Sequence, residues 1–305
     1  MTAGGRLARA RELLEDEGAA GALKRLVHAA ALRTFPIWER LGLHVVPDAF
    51  YFPIPNTRTL PPDLFTRQSA CVGLRWNEER QLEELRTVFA AYLNEDEFAA
   101  NEGLSRVDRA ILHAMVRSHK PRKIIEIGSG ASTRILARAG RLNEADGAAP
   151  ELTSIDPSPR AARAAARIAG LSRFIQQKVQ AVDPAEFDGC DLLFVDSSHV
   201  AGIGSDVNFE QLELLPRVKP GCLVHFHDIL VPGEYWPDWV LGKRYYWSEQ
   251  YLLWAFLLFN DTFSVRWASR YMQVRHEEAV AAAFPFYRRT DRLSSFWIQR
   301  ESGPA

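Results

Sequence analysis

The stretch that decides the fold reads Lys123-Ile-Ile-Glu126-Ile-Gly128-Ser-Gly130-Ala-Ser-Thr-Arg-Ile-Leu-Ala137. Its first five residues are apolar and β-branched apart from Lys123 and Glu126, which predicts a strand buried on both faces of a parallel sheet. The residues after Gly130 have helical spacing. Two glycines between strand and helix let the backbone approach a ligand closely and direct free N–H groups at it. The stretch therefore predicts a nucleotide-type cofactor loop, and a buried Glu126 needs a polar partner.

Strand and helix patterns alternate on both sides of this loop. After the strand at 123–127, the sequence predicts further strands at 152–155, 174–179, 191–195, 221–226, 263–267 and 295–298. Helical patterns separate the first five, and Ser105 and Asp108 resemble a capping box that opens a helix before the first strand. Such alternation predicts an α/β fold with a doubly wound, mostly parallel, Rossmann-like sheet of seven strands.

The N-terminal part has a different character. Residues 5–34 have a helical pattern that the glycines at positions 18 and 21 are expected to break into two helices. Residues 44–64 are rich in proline and aromatic residues, and another helix is predicted over 76–93. We therefore expect residues 1–104 to form a helical and Pro-rich extension that packs on a core domain of residues 105–305. For the basic amphipathic segment 21–35, packing against its own domain is preferred over contact with a membrane or a partner.

Composition excludes several classes of function. The chain has 305 residues and a formal net charge of -1, without the basic stripe that is typical of nucleic-acid binders. Its three cysteines, Cys71, Cys190 and Cys222, have no spacing that indicates a disulfide framework or a zinc site. No signal peptide or membrane-spanning run is recognisable. We expect a cytoplasmic protein that does not bind nucleic acid.

Polar residues follow several of the predicted strands. Asp156 follows the second strand, Asp196-Ser-Ser-His199 follows the fourth, and His227-Asp228 follows the fifth. Ligands of doubly wound sheets bind at the carboxyl ends of the strands, so these side chains are expected at one edge. A third glycine of the dinucleotide fingerprint would fall at position 133, where the sequence has threonine, which argues against a nicotinamide or flavin cofactor. An acid at the place of Asp156 suits the hydroxyls of a ribose.

These residues resemble a known family. Glu126-x-Gly128-x-Gly130-x-Ser132, Asp156 and the Phe194-Val-Asp-Ser-Ser-His199 block are similar to class I S-adenosylmethionine-dependent methyltransferases. More closely, the chain resembles the bacterial branch of small-molecule and sugar O-methyltransferases and cephalosporin-hydroxylase-like proteins. The resemblance runs from about residue 50 to residue 298, and it includes the motifs at 226–229 and 247–253. The common pattern has glycine where this sequence has Ser132.

The resemblance implies roles for the residues. The S-adenosylmethionine site is expected to consist of Glu126, Gly128, Ser129, Gly130, Ser132, Asp156, Gln180 and Val182. The expected catalytic residues are Asp196, His199 and His227. Metal-dependent relatives place their ligands at the positions of Asp196, His227 and Asp228. Two carboxylates suit Mg²⁺ whereas the histidine suits a transition metal, so the use of a divalent metal stays open.

An aromatic-rich segment follows the last of these motifs. Residues 230–246 contain several tyrosines and tryptophans and are expected to form a lid or acceptor wall in the methyltransferase domain. The leading hypothesis is methyl transfer to a hydroxyl of a small-molecule or glycoside acceptor, in a protein that is expected to self-associate as its relatives often do. A metal-dependent hydroxylase or oxygenase of the same fold is the first alternative, and a non-catalytic cofactor-binding scaffold is the second.

Overall fold

A computed structural model describes residues 3–49, 51–95 and 103–301, without the side chains of residues 3–19 and 22. Phe50, at the start of the stretch that resembles the methyltransferases, lies outside the described residues. The chain divides into two compact units, Met1–Pro62 and Asp63–Ala305. Residues 63–95 belong to the unit that contains the sheet, and the division into an extension over 1–104 and a domain over 105–305 stays a prediction.

The N-terminal unit begins with one long helix, α1 (Ala3–Arg40). The expected break at the glycines of positions 18 and 21 was wrong. A glycine in a helix interior costs only about 1 kcal/mol relative to alanine, and its neighbours here include strong helix formers such as alanine, leucine and arginine. After Arg40 the described chain continues to Pro62 in turns and irregular segments.

The second unit is built on a seven-stranded sheet with the strand order β3-β2-β1-β4-β5-β7-β6. The strands are β1 (Lys123–Ile127), β2 (Glu151–Ile155), β3 (Arg173–Ile175), β4 (Leu192–Val195), β5 (Leu223–Phe226), β6 (Phe263–Ala268) and β7 (Phe296–Arg300). Strands β1 to β5 pair in parallel, and β7 runs antiparallel between β5 and β6. The predicted Rossmann-like architecture, with its helical N-terminal region, is confirmed.

Helices flank the sheet. The α-helices of this unit are α2 (Glu78–Glu84), α3 (Ala90–Tyr92), α4 (Arg106–His119), α5 (Ala131–Ala145), α6 (Pro159–Ala165), α7 (Asp206–Phe209), α8 (Glu249–Leu257), α9 (Ser269–Arg275) and α10 (Glu277–Ala283). Ser105 caps α4 by accepting a hydrogen bond from the Asp108 backbone N–H, as predicted. The third strand ends at Ile175 rather than near 179, because Val179–Ala181 turns into a 3-10 helix.

The sheet order determines where a ligand can bind. Strand β1 has β2 on one side and β4 on the other, so the chain reverses its direction of progress across the sheet at β1. The strands are buried apart from Lys123 and Glu151 at their starts, Ser264 in β6, the last two residues of β7 and all three residues of β3. A crevice is therefore expected above the carboxyl ends of β1 and β4, where Gly128 and Asp196 begin their loops.

Candidate active site

Gly128 begins the loop after β1 in a conformation that only glycine adopts readily. Its φ is +87°, and a Cβ at this position would lie 1.8 Å from the backbone carbonyl oxygen of Asp196. The Gly128 N–H donates to the carbonyl of Ile155 at 2.9 Å. Glycine here lets the ends of three neighbouring strands come together.

Glu126 lies beneath this loop and is fully buried. Its carboxylate accepts hydrogen bonds from the hydroxyls of Ser132, Thr133 and Ser154, each at 2.7 Å. Burial raises the pKa of Glu126 to about 7 although the three hydroxyls lower it. The polar partner that a buried Glu126 requires is thus this group of hydroxyls. Glu126 and Ser132, which were expected near the amino group of the cofactor, instead hydrogen-bond to each other beneath the loop.

Asp156 connects the loop to the segment after β2. One carboxylate oxygen accepts from the Ser129 N–H at 3.0 Å, and the other accepts from the Ser158 N–H at 2.7 Å. Ser158, not Asp156, caps α6. A carboxylate has about four lone-pair sites, so Asp156 retains capacity to accept hydrogen bonds from two hydroxyls of a ligand.

A cleft of about 570 Å³ lies at this edge of the sheet. Its lining brings together four sequence-predicted positions from four strand ends: Gly128, Asp156, Gln180 and Asp196. The Gln180 side-chain amide donates to the carbonyl of Gly204 at 3.0 Å, on the opposite wall. The cleft has the volume of a small-molecule site and the position that the strand order requires.

Three predicted cofactor residues lie elsewhere. Val182 packs in the hydrophobic core and does not line the cleft. Ser129 and Gly130 line a second hollow of about 630 Å³, which shares Asp156 with the cleft. A Cβ on Gly130 would meet no atom within 4 Å.

An acid–histidine cluster adjoins the cleft through Asp196. His199 Nδ1 lies 2.7 Å from Glu249 Oε2, and its Nε2 lies 3.4 Å from Asp196 Oδ1 and 3.7 Å from Asp228 Oδ2. Asp228 Oδ1 accepts from the Ser294 hydroxyl at 2.9 Å and lies 3.4 Å from His227 Nε2. The structure thus assembles Asp196, His199, His227 and Asp228, as predicted, but places His199 behind Asp196 rather than on the cleft wall.

Backbone conformation helps to direct two of these side chains inward. His199 has a φ of 61° and Asp228 a φ of 55°, in the left-handed region that residues other than glycine rarely adopt. Such conformations cost free energy and persist where the surrounding structure enforces them. The Glu249–His199 bond and the Ser294–Asp228 bond supply that enforcement.

Asp196 and His199 favour opposite charges within the cluster. Burial disfavours the charged form of His199, but its bonds to Asp196 and Glu249 outweigh burial and raise the pKa of His199 well above its ordinary value. Burial opposes the charge of Asp196 as well, yet the neighbouring His227 and His199 hold the pKa of Asp196 below its usual range. Burial raises the pKa of Glu249, although its hydrogen bond to His199 and the charge of that ring oppose the increase.

The donor set does not fit a metal centre with three protein ligands. Among the residues that the structure describes, no group of three or more His, Cys, Asp or Glu side chains is arranged to hold a metal ion. His199 instead lies between Asp196 and Asp228, where it supplies the positive charge that a metal would otherwise provide. The metal at Asp196, His227 and Asp228 stays a prediction, and no step below depends on it.

Aromatic side chains surround His199 on its outer side. The Trp247 ring lies 4.5 Å from the His199 ring, measured between centroids. Around Trp247 are Tyr235, Trp239 and Tyr245, with centroids at 5.8, 4.9 and 5.0 Å. The first half of segment 230–246 is largely buried, and Asp238–Gly242 forms a π-helical turn. The first half of this segment is therefore packed against the protein, and its second half is largely exposed.

Two residues of the site were not singled out from the sequence. Glu249 is the first residue of α8, and its sequence context is that of an ordinary acid in the first helical turn. It nevertheless belongs to the Trp247–Leu253 motif that the resemblance includes. Thr133 was considered only as a missing glycine. The Thr133 hydroxyl donates to Glu126 and accepts from the Gly130 N–H at 3.0 Å. Thr133 thus links the glycine loop to the buried carboxylate at the position where the dinucleotide fingerprint has a third glycine.

Comparisons with known proteins agree with this geometry. Residues 125–229 match a family model described as a methyltransferase domain. A comparison with curated protein sequences found no match. No helix among the described residues combines the length and the apolar composition needed to cross a membrane.

Several solved structures show a distant likeness. The O-methyltransferase TomG from Streptomyces achromogenes, solved with S-adenosylmethionine, is 16% identical, with 75% of this chain and 98% of that chain covered and a TM-score of 0.42. The methyltransferase PaMTH1 from Podospora anserina, bound to S-adenosylhomocysteine, is 14% identical, with 73% and 88% covered and a TM-score of 0.45. An O-methyltransferase from Bacillus cereus is also 14% identical, with 72% and 90% covered and a TM-score of 0.40.

Values this low carry no argument about activity. The assignment depends instead on the family model, which covers the segment from β1 to the end of the β5 loop, and on the seven-stranded sheet that contains it. Residues 125–229 of this chain therefore match a methyltransferase domain model, and they lie within a Rossmann-like sheet of seven strands.

Proposed function

We propose that this protein transfers a methyl group from S-adenosylmethionine to an oxygen of a small-molecule acceptor. One observation carries the proposal: Asp196 belongs both to the cleft lined by Gly128 and Asp156 and to the acid–histidine cluster. A donor in the cleft and a proton-accepting group would therefore meet at one side chain.

The cleft has the chemistry that the donor needs. Asp156 would accept hydrogen bonds from the ribose hydroxyls, and Gly128 with its loop would face the methionine part. The Asp196 carboxylate, which lines the cleft and whose pKa is held low, favours a sulfonium cation through charge attraction. When bound, S-adenosylmethionine supplies a methyl group that is already activated for transfer.

The remaining task of the protein is to remove one proton from the acceptor. Asp196 would take the proton that the acceptor hydroxyl loses while the acceptor oxygen bonds to the methyl carbon and the methyl–sulfur bond of the donor breaks. His199 is a positioning residue in this account, because Glu249 orients its ring and its Nε2 faces Asp196 and Asp228.

The aromatic wall indicates the class of acceptor. Tyr235, Trp239, Tyr245 and Trp247 group next to His199, and aromatic faces stack on flat phenolic rings or on the apolar faces of sugars. We therefore propose phenols and glycosides as acceptors. The hydroxylase and scaffold alternatives have no comparable observation in their favour.

The test is a mass-spectrometric screen of phenols and glycosides with the purified protein and S-adenosylmethionine. The expected result is a gain of one methyl group by an acceptor, together with release of S-adenosylhomocysteine. Trp247→Ala is then expected to raise KM for that acceptor while the Kd for S-adenosylmethionine stays within about twofold, since stacking on an aromatic face is worth ~1 kcal/mol. Donor binding without turnover on any acceptor would favour the scaffold, and oxygen consumption with bound iron would favour the oxygenase.

A further inference from the structure

Asp108 is a fully buried acid in the first turn of α4, and the proposed reaction does not use it. Its carboxylate accepts hydrogen bonds from the hydroxyls of Ser105 and Ser269 and from the backbone N–H groups of Ser294 and Ser295. Taking a carboxylate out of water costs free energy that such hydrogen bonds must offset. Asp108 therefore ties three separate segments of the chain to the start of α4.

The bonds to Ser294 and Ser295 fix the segment that leads into β7. The Ser294 N–H donates to Asp108 Oδ2 at 3.0 Å, and the Ser295 N–H donates to Oδ1 at 3.4 Å. The Ser295 carbonyl accepts from the Ser269 N–H at 2.9 Å. Both serines of the segment are buried. Because these bonds hold the backbone, the two serine hydroxyls have fixed starting points for contacts of their own.

Ser294 contacts the acid–histidine cluster through Asp228. Its hydroxyl donates to Asp228 Oδ1 at 2.9 Å, and its carbonyl accepts from the Ile229 N–H at 3.0 Å. One residue thus holds both the side chain of Asp228, whose φ is 55°, and the backbone next to it. The other carboxylate oxygen, Oδ2, lies 3.7 Å from His199 Nε2. Since the two oxygens of a carboxylate are rigidly joined, the bond to Oδ1 sets the direction of Oδ2.

We propose that Asp108 and Ser294 are positioning residues for the reaction: Asp108 fixes the backbone of Ser294, and Ser294 holds the Asp228 carboxylate toward His199. The inference rests on the proposed methyl transfer, because it gives the orientation of Asp228 a part in turnover. Asp108 and Ser294 are 186 positions apart in the chain, and neither belongs to the lining of the described cleft. Their effect on the reaction is therefore indirect.

The test compares Ser294→Ala with Ser295→Ala, which delete buried hydroxyls from the same segment. The Ser295 hydroxyl lies 2.7 Å from His225 Nε2 inside β5 and does not contact Asp228. With the acceptor that the methyl-transfer screen identifies, Ser294→Ala should lower kcat about tenfold and change KM and the Kd for S-adenosylmethionine less than about twofold. Ser295→Ala should lose similar thermal stability but keep kcat within about twofold. Equal losses of kcat in the two variants would overturn the proposal.

Asp108→Asn tests the first step of this chain of contacts. Asparagine keeps the size of the side chain, but one of the two accepting oxygens becomes an amide donor. We expect kcat to fall about threefold or more. When Asp108→Asn is combined with Ser294→Ala, the two losses should be less than multiplicative, because the residues belong to one hydrogen-bond network. Fully multiplicative losses would mean that Asp108 does not act through Ser294.

Crystal structures of the two serine variants separate failure of this inference from failure of the methyl transfer. In Ser294→Ala the Asp228 carboxylate is expected to turn, so that Oδ2 no longer lies toward His199, whereas Ser295→Ala should keep the wild-type orientation. A wild type that methylates no acceptor would refute the proposed function, and these structures would still decide whether Ser294 holds Asp228. An unchanged Asp228 in Ser294→Ala would overturn the inference whatever the activity.

Discussion

His199 Nδ1 and Glu249 Oε2 lie 2.7 Å apart although 50 positions separate the residues in the chain. This bond directs the other ring nitrogen of His199 toward Asp196, at the boundary of the cofactor cleft. The contact forms because the start of α8 lies against the loop that follows β4. The Ser248 and Glu249 backbone N–H groups both donate to the His199 carbonyl, at 2.9 and 3.1 Å, which ties the two segments together.

Replacing Glu249 should separate turnover from donor binding. In Glu249→Gln the ring of His199 loses its charged anchor, and loss of such orienting partners typically lowers activity 10- to 100-fold. We expect kcat to fall by about that factor while the Kd for S-adenosylmethionine changes less than about threefold. Steady-state kinetics and calorimetry on the same preparation provide the two values.

Glu210→Gln is the matched control for that variant. Glu210 is buried in the same region, where burial and the neighbouring Glu249 raise its pKa well above the ordinary value and so favour the neutral carboxyl. Glutamine reproduces a neutral carboxyl in size and can still accept from the Ser197 hydroxyl, which lies 2.9 Å from Glu210 Oε2. Loss of kcat in Glu210→Gln equal to that in Glu249→Gln would mean that general packing, not the bond to His199, is responsible.

The two loop glycines should respond differently to alanine. Gly128→Ala places a Cβ against the Asp196 carbonyl and requires a left-handed alanine, so we expect the free energy of unfolding to fall by ~2–4 kcal/mol. Gly130→Ala puts its Cβ into open space with an extended φ of -168°, so a change below ~1 kcal/mol is expected. Urea denaturation of both variants measures the difference, and equal effects would contradict the geometry.

Glu126 should make stability depend on pH. Its folded-state pKa of about 7 lies above the ordinary value of 4.5, so between these pH values the folded protein holds a proton that the unfolded chain releases. Stability relative to Glu126→Gln should therefore be highest below about pH 4.5 and fall as pH rises through 7, by ~3.4 kcal/mol in total.

The measurement is chemical denaturation of wild type and Glu126→Gln between pH 5 and 8, since the difference between the curves isolates this residue. The variant retains an oxygen acceptor for the hydroxyls of Ser132, Thr133 and Ser154. Parallel pH dependences in the two proteins would show that Glu126 is already ionised in the folded state.

Treatment with a chelator tests whether the carboxylates of Asp196 and Asp228 act with His199 between them or with a bound metal ion. Because His199 Nε2 lies 3.4 and 3.7 Å from these carboxylates, we expect methyl transfer to persist after treatment with a strong chelator and removal of the chelator by gel filtration. Activity that disappears and returns with added Mg²⁺ or Mn²⁺ would show that the carboxylates hold a metal in the working enzyme.

Local sequence signals were sufficient for much of this structure. The β-branched run before Gly128 and the Ser105 cap each identified an element, because the information lies within a few residues. Parallel strands carry their polar carboxyl-terminal residues to one edge, which was enough to bring Asp196, His199 and Asp228 together. Glu126 is an acid inside a strand that was predicted to be buried, and this indicated that it needs polar partners.

Other features depend on tertiary contacts that no local pattern contains. In the sequence, Glu249 has the pattern of an acid in the first turn of a helix, and only the fold brings it into contact with His199. Val182 follows a predicted strand, but its side chain packs in the core. The continuity of α1 through two glycines reflects a sum of helix propensities over many residues rather than the penalty at any one.

The most direct test of the account is calorimetric titration of the protein with S-adenosylmethionine. The wild type is expected to bind it at a single site, and Asp156→Asn should weaken binding about tenfold or more, because a carboxylate that accepts from ribose hydroxyls is lost. Asp188→Asn, an exposed acid outside the cleft lining, should leave the Kd unchanged. A wild-type protein that does not bind S-adenosylmethionine, or an Asp156→Asn variant that binds it equally well, would contradict the cofactor cleft on which the account depends.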